Sequence, residues 1–234
     1  MWPLFDLRLE YRDVLLRAVR EADLPHLTAV LPADVGHDPR LAMFRSQTMI
    51  ENERRLLCMG YWKALGTWDP AEWVLHLAVL HDNEIVGVQT LEGSNFPALR
   101  TVDSASWLVP SVRGRGIGVR MRTAALGFAF DHLGATAAIS SATLANGASL
   151  GVSRRIGYVD NGISRIVDTR GDVVELQNLR LTVDRWPGHD VTVTGFEACK
   201  PWFGLDVSLG ANASRAGGAG RGGRRAGPRP AAAG

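Results

Sequence analysis

Apolar positions along the chain change period several times, and the changes outline its elements. Residues 14–19 form a short apolar run that predicts a first strand, and a helix start follows at Asp23 with Pro25 in its first turn. Residues 41–65 carry apolar side chains at helical spacing, which predicts one long helix or two short ones, broken at Asp69-Pro70. Residues 73–80 and 85–91 then predict two strands joined by the tight polar turn His81-Asp82-Asn83-Glu84, and a third strand over 103–109 stops at Pro110. Helical spacing returns over 116–133. There Ile117, Met121 and Phe128 share one face while Val119, Leu126, Phe130 and Leu133 share the other, the mark of a helix buried inside a domain. A covered strand is expected at 137–144, and a helix over 146–156 with Asn146 as N-cap and Gly157 at C′. Strands near 163–168 and 173–183 complete the pattern. The order β-α-α-βββ-α-β-α-ββ implies a single α+β (mixed α/β) domain over residues 1–205.

Composition sharpens this picture. With 46% hydrophobic residues in 234, the chain has enough apolar content to offset the entropy of ordering its backbone. No apolar run approaches the ~20 residues of a membrane helix, and the N-terminus carries Asp6 and Glu10 in place of a signal peptide's charge order, so a cytoplasmic protein without membrane association is expected. The net charge of +2 is unevenly placed. Residues 207–234 hold five arginines (215, 221, 224, 225 and 229) and no acid, which leaves the first 206 residues at 2 − 5 = −3. The Gly/Ala/Arg-rich stretch 206–234 has no hydrophobic period and is expected to be disordered; nucleic acid is a partner only through this tail, and a solvated tail is the plainer reading. Cys58 and Cys199 stand apart and the six histidines form no ligand cluster, so neither a disulfide nor a metal is implied.

The stretch Trp107-Leu-Val-Pro-Ser-Val-Arg113-Gly114-Arg115-Gly116-Ile117-Gly118 runs from a strand through a glycine-rich loop straight into the buried helix. Glycines let a ligand approach the backbone, and a helix N-terminus offers unpaired N–H groups with positive dipole character, which together suit a pyrophosphate. A Walker A loop needs Gly-Lys-Ser/Thr, which is missing. The dinucleotide fingerprint needs glycine where Val119 stands. The spacing is Arg-x-x-Gly-x-Gly, and about thirty residues later comes Asn146-Gly-Ala-Ser149, then Ser153-Arg-Arg-Ile-Gly157-Tyr158. A ligand-free glycine cap and a plain N-cap pair account for the same residues without any ligand.

Both motifs, in this register, resemble the acyl-CoA loop and the Asn-x-x-Ser segment of the GNAT acyltransferases. Segments 2–8, 77–89, 102–108 and 152–162 further resemble the mycobacterial GNAT succinyltransferases of the RimJ/RimL-like branch. The resemblance spans most of residues 1–205. It implies a mostly antiparallel twisted sheet flanked by helices, and direct transfer of an acetyl or succinyl group from acyl-CoA to a primary amine: a protein N-terminus, a lysine or a small amine. It implies a bulged strand at Trp107, Leu108 and Val109 against which the pantetheine lies, with the Val109 N–H polarising the thioester carbonyl. Arg113, Gly114, Arg115, Gly116, Ile117, Gly118 and Val119 would hold the pyrophosphate. Asn146 and Ser153 would contact the cosubstrate and Ser149 would protonate the departing thiolate. Asp103 and Asp168 are the candidate bases, with exposed edge acids as the alternative for each. Trp62, Trp68 and Trp73, with Met59 and Tyr61, line an acceptor pocket or form plain core. A homodimer is expected from the Trp-rich helices. The competing readings are a CoA-binding scaffold without turnover and a nucleic-acid-associated module using the tail.

Overall fold

A computed structural model describes residues 2–35, 43–167 and 171–205. The chain opens with strands β1 (Arg8–Tyr11) and β2 (Val14–Ala18), followed by helices α1 (Leu24–Ala29) and α2 (Met49–Gly66). Next come β3 (Glu72–His81), β4 (Glu84–Ser94), the one-turn α3 (Phe96–Leu99) and β5 (Thr101–Leu108). Helix α4 (Ile117–Gly127), β6 (Ala137–Thr143), α5 (Gly147–Ile156), β7 (Val159–Val167), β8 (Val173–Thr182) and the short β9 (Thr192–Thr194) complete the order. The nine strands form one sheet, β7-β8-β6-β5-β4-β3-β2-β1-β9, antiparallel throughout except at β5–β6. This is the expected mixed α/β domain with a mostly antiparallel sheet.

Local chemistry explains most boundaries. Helix α2 begins at Met49, later than the apolar spacing suggested, because a capping box sets its start: Thr48 Oγ1 accepts the Glu51 N–H, and the Thr48 N–H donates to Glu51 Oε2 at 2.7 Å. Residues 41–42 of the expected long helix and Asp168 of the expected strand lie outside the described residues. The β3–β4 turn tightens to two residues, Asp82 and Asn83, both at positive φ (52° and 64°), as a hairpin matched to the right-handed strand twist requires. Helix α4 stops at Gly127 and passes into a π-helical turn, Phe128–His132, which replaces the single longer helix expected. Strand β7 starts at Val159, with a register shift between Asp160 and Ile163.

Each face of the sheet is covered. Helix α4 packs on one face with α5, burying Ile117, Met121, Ala124, Ala125 and Phe128 in the main core. On the other face α1 and α2 close a smaller cluster of Val19, Leu24, Leu27, Tyr61, Ala78 and Val88. Strand β1, paired on both sides, and the edge strand β9 were not expected from the pattern. After β9 a C-terminal 3₁₀ segment, Glu197–Phe203, sinks Cys199 and Phe203 into the core. That segment is fixed by a bond from Trp68 Nε1 to the Trp202 carbonyl (2.8 Å) and by the edge-on Trp73–Phe203 pair (centroids 5.0 Å apart). Trp68 and Trp73 are therefore core, while Trp62 and Met59 point to solvent. Both cysteines are free thiols; Cys199 is buried and Cys58 half-buried.

Candidate active site

The parallel pair β5–β6 is where the sheet comes apart. Only Thr101↔Ala137, Val102↔Ala138 and Asp103↔Ile139 pair; beyond them β5 continues to Leu108 and β6 to Thr143 without pairing to each other. Diverging strands leave backbone groups on their facing edges without ladder partners, and such groups need replacements. At the closed end side chains supply them: Ser140 Oγ donates to the Ser104 carbonyl (2.9 Å), and the Ser104 hydroxyl meets Tyr158 Oη (3.3 Å). The open end is flanked by two helix N-termini. Helix α4 follows β5 and α5 follows β6, and the first turn of α4 packs against the second turn of α5, where a Cβ on Gly118 would lie 3.3 Å from Val152 Cγ2.

The loop into α4 is built to present amides. Gly114 and Gly116 both sit at φ +77°, where an L side chain is strained, and Gly116 caps the helix. Among the described residues the N–H groups of Gly114, Arg115, Gly116, Ile117 and Gly118 find no acceptor. Five consecutive open amides at a helix N-terminus form an anion cradle. Ile117 supplies only its amide, since its side chain is core, and Val119 packs against the core. Arg115 is exposed beside the cradle. Arg113 is instead a brace: its Nε donates to the Leu108 carbonyl (2.8 Å) and its two Nη atoms grip Asp34 (2.6 and 2.9 Å). The Arg113 hydrogen bonds hold the Asp34 carboxyl below the usual carboxylate range.

On α5, Asn146 Oδ1 accepts the Ser149 N–H (3.0 Å), the N-cap expected from sequence. The Ser149 hydroxyl makes no hydrogen bond among the described residues, and both side chains lie at the splay's open end. Ser153 differs. It is fully buried, donates to the Ser149 carbonyl (3.1 Å) and receives Arg122 Nη1 (2.6 Å), so it serves as a strut shut away from any ligand.

Arg122 is the residue that sequence reading missed. It projects from α4 under the splay, 3% exposed, bonded to Ser153 and to Ser106 Oγ (2.9 Å), with Nε unpartnered. Burial pushes its pKa down, opposed by the charges of Tyr158 and Asp103. In a helical pattern a lone arginine reads as surface, and no local signal marks it as buried.

The Val109 amide is a correction. It donates to the Val86 carbonyl at 2.9 Å and so faces β4, away from the splay. Register along β4–β5 is unbroken from Val102 to Leu108, so the expected bulge is missing there; the shift lies in β3–β4, between Val79 and Leu80. Period-two alternation then turns the Leu108 and Ser106 amides toward β6, consistent with the Ser104 carbonyl accepting across the splay from Ser140. Asp103 marks the closed end, at the last β5–β6 pair. Its side chain is exposed, and partial desolvation by the neighbouring protein raises its carboxyl pKa, against the Ser104 N–H (2.6 Å) and Arg122, which lower it.

On the α1–α2 face, Trp107 forms one wall of a cavity of about 240 Å³ that also reaches Tyr61, His76 and Thr90. His76 Nδ1 lies 3.1 Å from Thr90 Oγ1, and burial pushes its pKa down to about 4, so the ring is neutral at pH 7.

An acetyltransferase (GNAT) domain model matches residues 13–159, which takes in the whole splay, the cradle and the α5 cap. The chain belongs to the GNAT family. Similar solved structures include Mycobacterium smegmatis RimJ in complex with CoA-disulfide (20% identity, TM-score 0.63, covering 80% of this chain and 90% of that one). Others are the Vibrio fischeri ribosomal-protein-S5-alanine acetyltransferase (15%, TM-score 0.57, 76% and 98%) and a spermidine N-acetyltransferase chimera from Vibrio cholerae and hSSAT (15%, TM-score 0.55, 74% and 97%). At these identities the likeness is one of fold. Among the described residues of this GNAT domain no group of three or more His, Cys, Asp or Glu is placed to hold a metal, and no helix is long and apolar enough to cross a membrane.

Proposed function

We propose that this chain transfers an acetyl group from acetyl-CoA to a primary amine by direct attack of the amine on the thioester. The observation that carries this reading is the cradle of five acceptor-less amides at the mouth of a parted sheet. Acyl-CoA supplies an activated acyl group and a thiolate leaving group; the protein's own groups do the rest. Amides 114–118 bind the pyrophosphate, and the Arg115 side chain adds charge. Asn146, exposed at the splay's mouth, contacts the pantetheine arm. The Leu108 or Ser106 amide, on the β5 edge facing the splay, donates to the thioester oxygen as charge builds there. As the new C–N bond forms and the C–S bond breaks, Ser149 Oγ gives the thiolate a proton and takes one back from solvent, so CoA leaves as the thiol. The ammonium proton leaves to water or to a carboxylate, for which Asp103 with its raised pKa and Asp168 are the candidates.

Acetyl is taken as the donor because the family model that matches across the splay is that of an acetyltransferase domain. Thiol release measured with acetyl-CoA and succinyl-CoA against a panel of amines tests both claims. The expected result is amine-dependent release with at least a tenfold preference for acetyl-CoA. Preference for succinyl-CoA would overturn the donor assignment, and the absence of amine-dependent release with either would overturn the enzyme reading.

A further inference from the structure

The cavity on the α1–α2 face carries an inference beyond acyl transfer, though it rests on that reading. Its walls are mostly apolar, including Leu24, Leu27, Leu56 and Val88, and they share Trp107 with β5, whose far edge faces the splay. His76, one of its polar groups, is neutral and already partnered, its Nδ1 lying 3.1 Å from the Thr90 hydroxyl. Among the described residues Glu53 is the one acid in the wall. A polyamine needs several carboxylates to replace the water around its charges.

Gly60 is the telling residue. It stands inside the 18-residue helix α2 and lines the cavity, and a Cβ built on it meets nothing within 4 Å. Glycine weakens a helix interior relative to alanine, and here neither a turn nor a close approach calls for it. Gly60 thus contributes backbone and no side chain to the cavity wall. At about 240 Å³ the cavity equals about eight times the roughly 30 Å³ share of one water, room for on the order of ten non-hydrogen atoms.

We propose that this cavity is the acceptor subsite and takes the apolar body of a monoamine, a phenyl or branched aliphatic group a few bonds from the primary amine. A free arylalkylamine and the first residue of a peptide present the same chemistry, and the assay separates them.

The test uses the full chain with acetyl-CoA. Acceptors are phenethylamine, isoamylamine, ethylamine, spermidine, and tripeptides beginning with Phe, Leu or Gly. Turnover is compared among wild type, Gly60→Ala and Gly60→Leu, with acetyl-CoA affinity read by calorimetry and Tm by scanning fluorimetry. The expected result is a kcat/KM at least 20-fold higher for apolar monoamines or Phe/Leu peptides than for ethylamine, spermidine or the Gly peptide. Whichever apolar arm is faster identifies the source. Gly60→Leu should cut that preference at least tenfold and Gly60→Ala by less, with Tm not lowered and acetyl-CoA affinity within twofold of wild type. Normal acetyl-CoA binding with no apolar preference, with no turnover of apolar amines, or with Gly60→Leu kinetics unchanged overturns this inference alone. Failure to bind acetyl-CoA overturns the acyltransfer reading and this one with it.

Discussion

Gly116→Ala perturbs the cradle at one atom. Gly116 caps α4 at φ +77°, ψ 1°, and an alanine there pays the left-handed penalty of about 1–2 kcal/mol. Its Cβ would also lie 3.1 Å from Arg120 Nη1, the end of a flexible side chain anchored by its ion pair with Asp13 (2.6 Å). At about 2–4 °C per kcal/mol for a domain this size, Tm should fall by about 2–8 °C. The functional loss should be larger. If the alanine relaxes toward negative φ, the amides on either side stop converging, and each lost hydrogen bond to a charged group is worth about 1.5–3 kcal/mol. One such bond predicts about a 10- to 100-fold fall in kcat/KM for acetyl-CoA. S-Acetylpantetheine, which lacks the pyrophosphate and nucleotide, should change less than threefold. Equal losses on both donors, or an unchanged kcat/KM for acetyl-CoA with a lowered Tm, would refute the assignment of these amides to a pyrophosphate.

Other consequences are as specific. Ser149→Ala should lower kcat by about 10- to 100-fold with little change in the KM for acetyl-CoA, as loss of a proton donor to the leaving group requires; steady-state kinetics checks this. Arg122→Met should leave stability within about 1 kcal/mol of wild type, since losing two hydrogen bonds is offset by no longer burying a charge, whereas Arg122→Ala should cost about 3 kcal/mol or more in a urea titration. Gly87→Ala would drive a Cβ into the Trp107 carbonyl and to 3.0 Å from the Leu108 Cα, a backbone clash no rotamer relieves; it should lower Tm by roughly 6 °C or more, while Gly147→Ala, with nothing near its Cβ, should not. Burial pushes the Asp23 carboxyl up, but the fork from Arg17 (2.7 and 2.8 Å) and the Arg20 N–H outweigh it and hold the pKa below the usual range. A depressed carboxylate contributes stability above its unfolded pKa and loses it as pH falls through the folded one. The Tm gap between wild type and Asp23→Asn should therefore be about 4–8 °C at pH 7, from about 2 kcal/mol, and close below pH 4.

The chain revealed in advance what short-range chemistry controls. Gly114, Gly116 and the Asn146–Ser149 cap act through their own backbone, so the glycine turn and the helix cap were legible from spacing, as was the mixed order of strands and helices; the mostly antiparallel sheet came from the family resemblance. The Thr48–Glu51 capping box was also in plain view and would have placed the α2 start correctly. Other features depend on partners far away in sequence. Which edge the Val109 amide faces is fixed by its register against Val86, and a one-residue change of parity reverses the answer. Strands β1 and β9 are short and partly polar; β9 is the sheet's edge and exists because it finds β1, which itself pairs with β2. Arg122 is buried by Ser106 on β5 and Ser153 on α5, and the acceptor cavity draws its walls from α1, α2 and three strands. No window of sequence contains those neighbours.

The central claim is that the open amides at the mouth of the splay hold the cosubstrate, and amide NMR reads it at the atoms concerned. In a titration of the ¹⁵N-labelled full chain with CoA, the account predicts saturable shifts concentrated at Gly114, Arg115, Gly116, Ile117 and Gly118, strongly reduced when pantetheine replaces CoA. Saturable binding that leaves these five amides unmoved, or no binding at all, would contradict it.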